Sequence, residues 1–227
     1  MGRNADERRR EQILAIAVVA RSLNRVTNDQ YTEFLNAVDP MGTDPNDVYS
    51  GSMGSDARGG IAFNASAANG SKYSSKSNMG NKPVNYVSFF DSMRFVNWLE
   101  NGQPTDGSGT ETGVYSIGNG LNETRTPGAT FFIPSEDEWY KAAYYQPAAQ
   151  GGDTDSYWKY STARNTEPTI ATANATGDIN NPGTNVANYI QGADWNGEDG
   201  NVTTVGTAER ISAKGRSTSA KKASTTF

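Results

Sequence analysis

The stretch FFIPSEDEWYKAAYY, residues 131–145, decides how this sequence is interpreted. A strand-like run ends at its proline, and Ser135 then stands three residues before Glu138, which is the spacing of a helix capping box. Apolar residues follow at helical spacing, and we expect them to share one buried helix face: Trp139, Ala142 and Ala143. The stretch therefore predicts a strand, a turn and an acidic helix start in direct succession.

Two further helices are predicted on the N-terminal side of this stretch. Residues 26–38 offer a capping box at Thr27 and Gln30, followed by an apolar face with a spacing of three and four residues. Within residues 81–103, Ser88 is a good N-cap, and Asp91 falls in the first turn, where the helix dipole favours a negative charge. Both segments predict helices with an apolar face.

The remaining segments are rich in glycine and polar residues, and they predict loops with little regular structure. Residues 41–80 are expected to form a long surface excursion with one short strand at 60–63. A second short strand is expected at 114–117, and residues 146–185 are expected to be irregular. With 227 residues, the chain suits a single domain that has a substantial core.

The chain contains no cysteine and no histidine. It can therefore form no disulfide, offer no thiolate or imidazole, and hold no zinc, copper or iron through these ligands. General acid or base chemistry would have to come from carboxylates such as Glu136, Asp137 and Glu138. Helix capping and the helix dipole already account for these acids, so we do not expect them to be catalytic.

The net charge of −5 combines an acidic body with two basic ends, residues 1–25 and 208–227. Basic ends suit nucleic acid or an anionic surface, but neither end interleaves aromatic residues with its cations, so solvated tails are the favoured interpretation. No apolar run approaches the ~20 residues that a membrane helix needs. We therefore predict neither a nucleic-acid partner nor a membrane span.

The N-terminal apolar run, residues 13–20, has two interpretations of equal weight. An arginine-containing start followed by this run and a small-residue site at 18–20 is typical of a signal peptide, which would place the protein outside the cytoplasm. The run is also short and directly follows Glu11 and Gln12, as in a short buried helix of a cytoplasmic protein.

Three blocks, taken in order, resemble the sulfatase-modifying factor family, which includes the formylglycine-generating enzymes. They are VTNDQYTEFLNA, PVNYVSFFDSMRFVNWL and IPSEDEWYKAAYY. The resemblance covers residues 26–207 and implies the family's α+β variant of the C-type-lectin fold, with few helices, short strands and much ordered loop.

The resemblance also implies a structural calcium ion. In the formylglycine-generating enzymes an Ala-Asn-aliphatic segment and a Gly-Glu-Asp-Gly segment hold one calcium, and they correspond here to 187–189 and 197–201. Asn188 and Asp199 would offer side-chain oxygens, and Tyr189 and Asn201 would offer backbone carbonyls. Calcium prefers such oxygen ligands, although an acidic, glycine-rich turn that binds nothing has the same composition.

The sequence departs from the family at both ends. The family's later blocks, which contain the catalytic cysteines, have no counterpart before Phe227, and the composition changes abruptly at Ala208. We expect a domain that lacks its C-terminal part, flanked at 1–25 and 208–227 by atypical or out-of-frame sequence.

Two functions follow from these observations. One is a catalytically inactive family domain without a copper or iron site. The other is a calcium-stabilised, lectin-like module for a glycan or peptide, in which loop aromatics would contact the ligand: Tyr157, Trp158, Tyr160 and Trp195. The same aromatics could instead fill the core of a strand-poor fold.

Overall fold

The computed structural model describes residues 25–118, 120 and 122–207. In this part the chain forms a mixed α+β structure made largely of loops, as the sequence predicts. Its helices are α1 Asn28–Val38, α2 Gly51–Ser55, α3 Phe89–Glu100 and α4 Glu136–Tyr144, with a 3₁₀ turn at Ala148–Gln150. The predicted capping boxes before α1 and α4 are both present, and the first turn of α3 has one as well.

The strands of the described residues are short and form two small sheets. Strand β1, Ile61–Phe63, pairs antiparallel with β2, Tyr73–Ser75, with Ala62 opposite Ser74. Strand β3, Thr169–Ile170, pairs parallel with β4, Val186–Ala187. The predicted strand at 60–63 is confirmed, whereas β2, β3 and β4 are too short and polar to stand out in the sequence.

The strand predicted at 114–117 is wrong. The backbone N–H of Tyr115 donates to the Asn97 side-chain oxygen at 2.9 Å, so a side chain from α3 takes the place of a neighbouring strand. Val114 and Tyr115 are nevertheless buried, because their side chains enter the main core.

The main core lies between α1 and α3. The ring of Phe34, which is fully buried, lies 5.2 Å from Tyr31, 5.3 Å from Phe95 and 5.4 Å from Trp98, measured between ring centroids. The helical spacing of these residues predicted the two faces that meet here.

Residues 41–80 are not merely a surface excursion. This segment contributes Met53, Ile61 and Tyr73 to the main core through α2, β1 and β2, and Val48 from the loop before α2. The segment looks polar in sequence because these apolar residues are far apart.

The interpretations of residues 1–24 and 208–227 lie outside the described residues. Among the residues that are described, no helix is both long enough and apolar enough to cross a membrane.

Candidate calcium loop and aromatic surface

The side chain of Glu138, which closes the capping box of α4, is held by hydrogen bonds from two residues. Glu138 accepts the backbone N–H of Ser135 at 2.9 Å, and Ser135 accepts the backbone N–H of Glu138 at 3.2 Å. The guanidinium of Arg125 donates to both carboxylate oxygens of Glu138 at 2.8 and 3.1 Å. The hydrogen bonds from Arg125 and then from Ser135 lower the pKa of Glu138, because they stabilise its charged form.

The buried face predicted for α4 is absent in the structure. No residue of α4 is buried; Ala142 is exposed, and Trp139 and Ala143 are only half-buried. The chain just before the helix explains the difference, because it packs against the main core and leaves α4 outside: Phe131, Phe132 and Ile133. The aromatic side of α4 therefore lies outside the main core and remains partly exposed.

Five rings on and beside α4 form a continuous patch, here called the tyrosine surface: Trp139, Tyr140, Tyr144, Tyr145 and Tyr157. Tyr140 is central, with its ring centroid 4.8 Å from Tyr144 and 5.5 Å from a stacked Tyr157. Tyr157 lies in turn 5.2 Å from Tyr145. Tyr140 and Tyr145 are 48% and 38% exposed, so this patch faces solvent.

Backbone pairing fixes the position of the tyrosine surface. An antiparallel bridge joins residues 145 and 157, with hydrogen bonds from Gln146 N to Ser156 O at 2.9 Å and from Trp158 N to Tyr144 O at 3.0 Å. The Trp158 indole N–H also donates to the Gln146 side chain at 3.1 Å. The rings are thus held in place before any ligand arrives.

The loop aromatics named as candidate ligand contacts separate into two groups. Tyr157 belongs to the tyrosine surface, Trp158 flanks it, and Tyr160 is half-buried in a turn. Trp195 is 7% exposed, and its indole N–H donates to Val202 O at 2.8 Å. It is therefore a core residue of the C-terminal loops and not a ligand contact.

The structure brings two of the four predicted calcium ligands into direct contact. The Asn188 side-chain amide donates to the backbone carbonyl of Asn201 at 2.9 Å. Asn201 is fully buried, and its own side chain holds the loop by accepting from Val202 N at 2.8 Å and donating to Trp195 O at 3.3 Å. The carbonyl of Asn201 is thus presented rigidly to Asn188.

The other two predicted ligands are close in the chain but have other partners. The Tyr189 carbonyl accepts from Gly192 N at 3.3 Å, and the Asp199 carbonyl accepts from Arg58 at 2.7 Å. The Asp199 carboxylate is exposed and has no hydrogen bond or ion pair within the described residues. Gly200 lets the two segments touch, because a Cβ there would lie 2.4 Å from the Gln191 Cα.

The oxygen-bearing residue types of this loop are ones that calcium takes as ligands. In the structure the Asn188 amide turns its N–H toward the Asn201 carbonyl, and a half-turn of that amide would present its oxygen there instead. Among the described residues, no group of three or more Asp, Glu, His or Cys side chains could hold a metal.

A family model for the sulfatase-modifying factor enzyme 1-like (FGE-sulfatase) domain matches residues 3–210. The chain belongs to this family. Neither a curated protein nor a solved structure matches the chain in the same comparisons. The sulfatase-modifying factor match covers every element of the described structure, including both the calcium loop and the tyrosine surface.

The tyrosine surface differs from the sequence-based prediction, in which one face of α4 is buried in the core. A signal was available, since Tyr140 and Tyr144 repeat at a spacing of four and place two polar-tipped rings on one side of the helix.

Proposed function

We propose that this chain is a non-catalytic sulfatase-modifying factor domain that works as a calcium-stabilised binding module. The observation that carries the proposal is the state of α4: the carboxylate of Glu138 is held by Ser135 and Arg125, while Tyr140 on the aromatic side is 48% exposed. In this interpretation the family's helix presents a ligand surface and contributes no reacting group.

The residue inventory supports the non-catalytic assignment. Formylglycine generation in this family uses a thiolate pair that holds copper, and related members use histidine-bound iron. This chain has neither cysteine nor histidine, so it can supply neither set of ligands. The proposed scaffold is the family's C-type-lectin-like α+β fold, and the short strands and long ordered loops support it.

The non-catalytic assignment predicts that the purified chain will not oxidise a sulfatase-type cysteine peptide. The peptide is incubated with the protein, copper and oxygen, and its mass is followed by mass spectrometry. We expect the cysteine to remain at the enzyme-free rate. Conversion to formylglycine above that rate would reject the assignment, and an active formylglycine-generating enzyme is the positive control.

Calcium is proposed as the structural ion of the loop at 187–201. Asn188 and Asp199 would bind it through side-chain oxygens, and Tyr189 and Asn201 through backbone carbonyls. With a single carboxylate among these ligands, we expect a Kd of roughly 10⁻⁴ to 10⁻³ M, the range of weak extracellular calcium modules. The ion would fix a turn in which Asn196 and Gly197 both have positive φ.

Calcium at one hundred times its Kd should stabilise the protein by about 2.7 kcal/mol. For a chain of this size the melting temperature should then rise by roughly 5–10 °C, and chelation should reverse the rise. In Asp199→Asn the calcium response should shrink strongly, whereas Asp106→Asn, a change at an exposed acid outside the loop, should keep it. The proposed calcium site is wrong if calorimetry detects no binding and the melt is unchanged.

A further inference from the structure

We propose that the tyrosine surface binds uncharged carbohydrate. This inference rests on the proposed function as a binding module and names the ligand class and the site. It is carried by three independent properties of the surface: its ring composition, its unused hydroxyl groups and its charge.

The apolar part of the surface is almost entirely aromatic. Residues 136–160 contain no leucine, isoleucine, valine or methionine, while Trp139, Tyr140, Tyr144, Tyr145 and Tyr157 supply linked rings. Grooves that dock an amphipathic helix are hydrophobic, and this segment has no leucine, isoleucine, valine or methionine with which to build one. Flat, polar-tipped rings suit a ligand with an apolar C–H face and polar edges, which is the shape of a pyranose ring.

The hydroxyl groups of this surface differ from those of the core tyrosines. Tyr31 donates to Val48 O at 2.9 Å, Tyr49 donates to Ile61 O at 3.1 Å, and Tyr73 donates to Asp39 at 2.5 Å. Within the described residues, no hydrogen bond occupies the hydroxyl of Tyr140 or Tyr157. These phenols can therefore both donate to and accept from sugar hydroxyls.

The charge around the rings disfavours an anionic ligand. Residues 136–160 carry five acids and two lysines. The ammonium of Lys141 lies 5.3 Å from the Tyr145 ring, and that of Lys159 lies 5.4 Å from Tyr160, so both cations already rest on aromatic faces. An acidic polysaccharide would meet a net negative field, whereas a neutral sugar would not.

Backbone pairing also places the rings of the surface side by side. The bridge between residues 145 and 157 brings Tyr157 next to α4, where its ring stacks on Tyr140 at an interplanar angle of 23°. A preformed platform avoids the entropy cost of ordering side chains on binding.

The test is titration of the full chain with neutral oligosaccharides, namely N-acetylglucosamine oligomers and β-glucan oligomers, with a heparin oligosaccharide as the anionic comparison. We expect saturable binding to at least one neutral series and none to heparin. Tyr140→Ala and Tyr157→Ala should each weaken binding about tenfold or more, as loss of an aromatic anchor does. Tyr140→Phe should weaken binding less than Tyr140→Ala does, because it keeps the ring and loses only the hydroxyl that would bond to the sugar.

The matched control is Phe89→Ala, which removes a 39% exposed aromatic from the start of α3, outside the surface. It should leave binding unchanged, and melting temperatures should show that every variant is folded. The inference is overturned by no neutral-sugar binding, by preferential binding to heparin or to a peptide array, or by equal losses in Phe89→Ala. In the first two cases the carbohydrate proposal is rejected, whereas the non-catalytic assignment is tested separately by the cysteine-peptide assay.

Discussion

Replacing Asn97 by alanine should destabilise the protein by roughly 3–5 kcal/mol, because three buried backbone groups would lose their partner at once. Asn97 is fully buried in α3, and its amide donates to Thr110 O at 2.7 Å and to Tyr115 O at 2.8 Å. Its oxygen accepts the Tyr115 N–H at 2.9 Å. Chemical denaturation followed by tryptophan fluorescence measures the loss.

Asn101 provides a control on the same helix end. Its amide donates to Gly109 O at 2.9 Å and to Thr112 O at 2.8 Å, so it tethers the same loop, but it does so in solvent. Water can replace these bonds, and Asn101→Ala should cost no more than about 1 kcal/mol. Equal effects of Asn97→Ala and Asn101→Ala would show that burial does not set the cost.

Replacing Trp195 by alanine should cost about 3–5 kcal/mol, the usual range for removing a buried tryptophan. The Trp195 ring fills the centre of the C-terminal loops, where Lys82 lies 5.3 Å from its centroid and a Cβ at Gly177 would come within 2.4 Å of it. The loss should appear in the free energy of unfolding and should also abolish the calcium response.

Trp195→Phe is a milder change at the same position. It keeps part of the ring but loses the bond to Val202 O and some packing volume, so its cost should be smaller than that of Trp195→Ala. The intact fold of Trp195→Phe should bind neutral sugar like the unchanged protein. If Trp195→Phe remained folded but bound the sugar more weakly, Trp195 would be a ligand contact after all.

The parts of the fold that follow local rules could be predicted from the sequence. The pairs Thr27–Gln30 and Ser135–Glu138 satisfy free backbone N–H groups within one turn, so their residue types are sufficient to place the start of α1 and α4. The face of α1 that includes Phe34 was equally predictable, because helical spacing alone defines it.

The parts that depend on distant partners could not be predicted. The Asn97 amide takes the place of a strand partner for Tyr115, although it lies 18 residues away in the chain. The sequence around Asn97 contains no pattern that predicts this contact. The prediction that one face of α4 is buried was wrong for the same reason. The sequence shows an apolar face, but only the structure shows that residues 131–133 pack against the core in its place. Within the candidate calcium loop the structure brings Asn188 to the Asn201 carbonyl, and calcium binding stays a prediction.

Site-by-site labelling of tyrosines tests most directly the claim that α4 presents a ligand surface. The full chain is nitrated under limiting conditions, with and without saturating N-acetylglucosamine or β-glucan oligomer, and each tyrosine is quantified by mass spectrometry. Tyr31, which is 1% exposed, is the internal reference. We expect Tyr140 and Tyr145 to react far faster than Tyr31 and to be protected by the neutral sugar; reaction as slow as that of Tyr31, or fast reaction without protection by either oligomer, would contradict the claim.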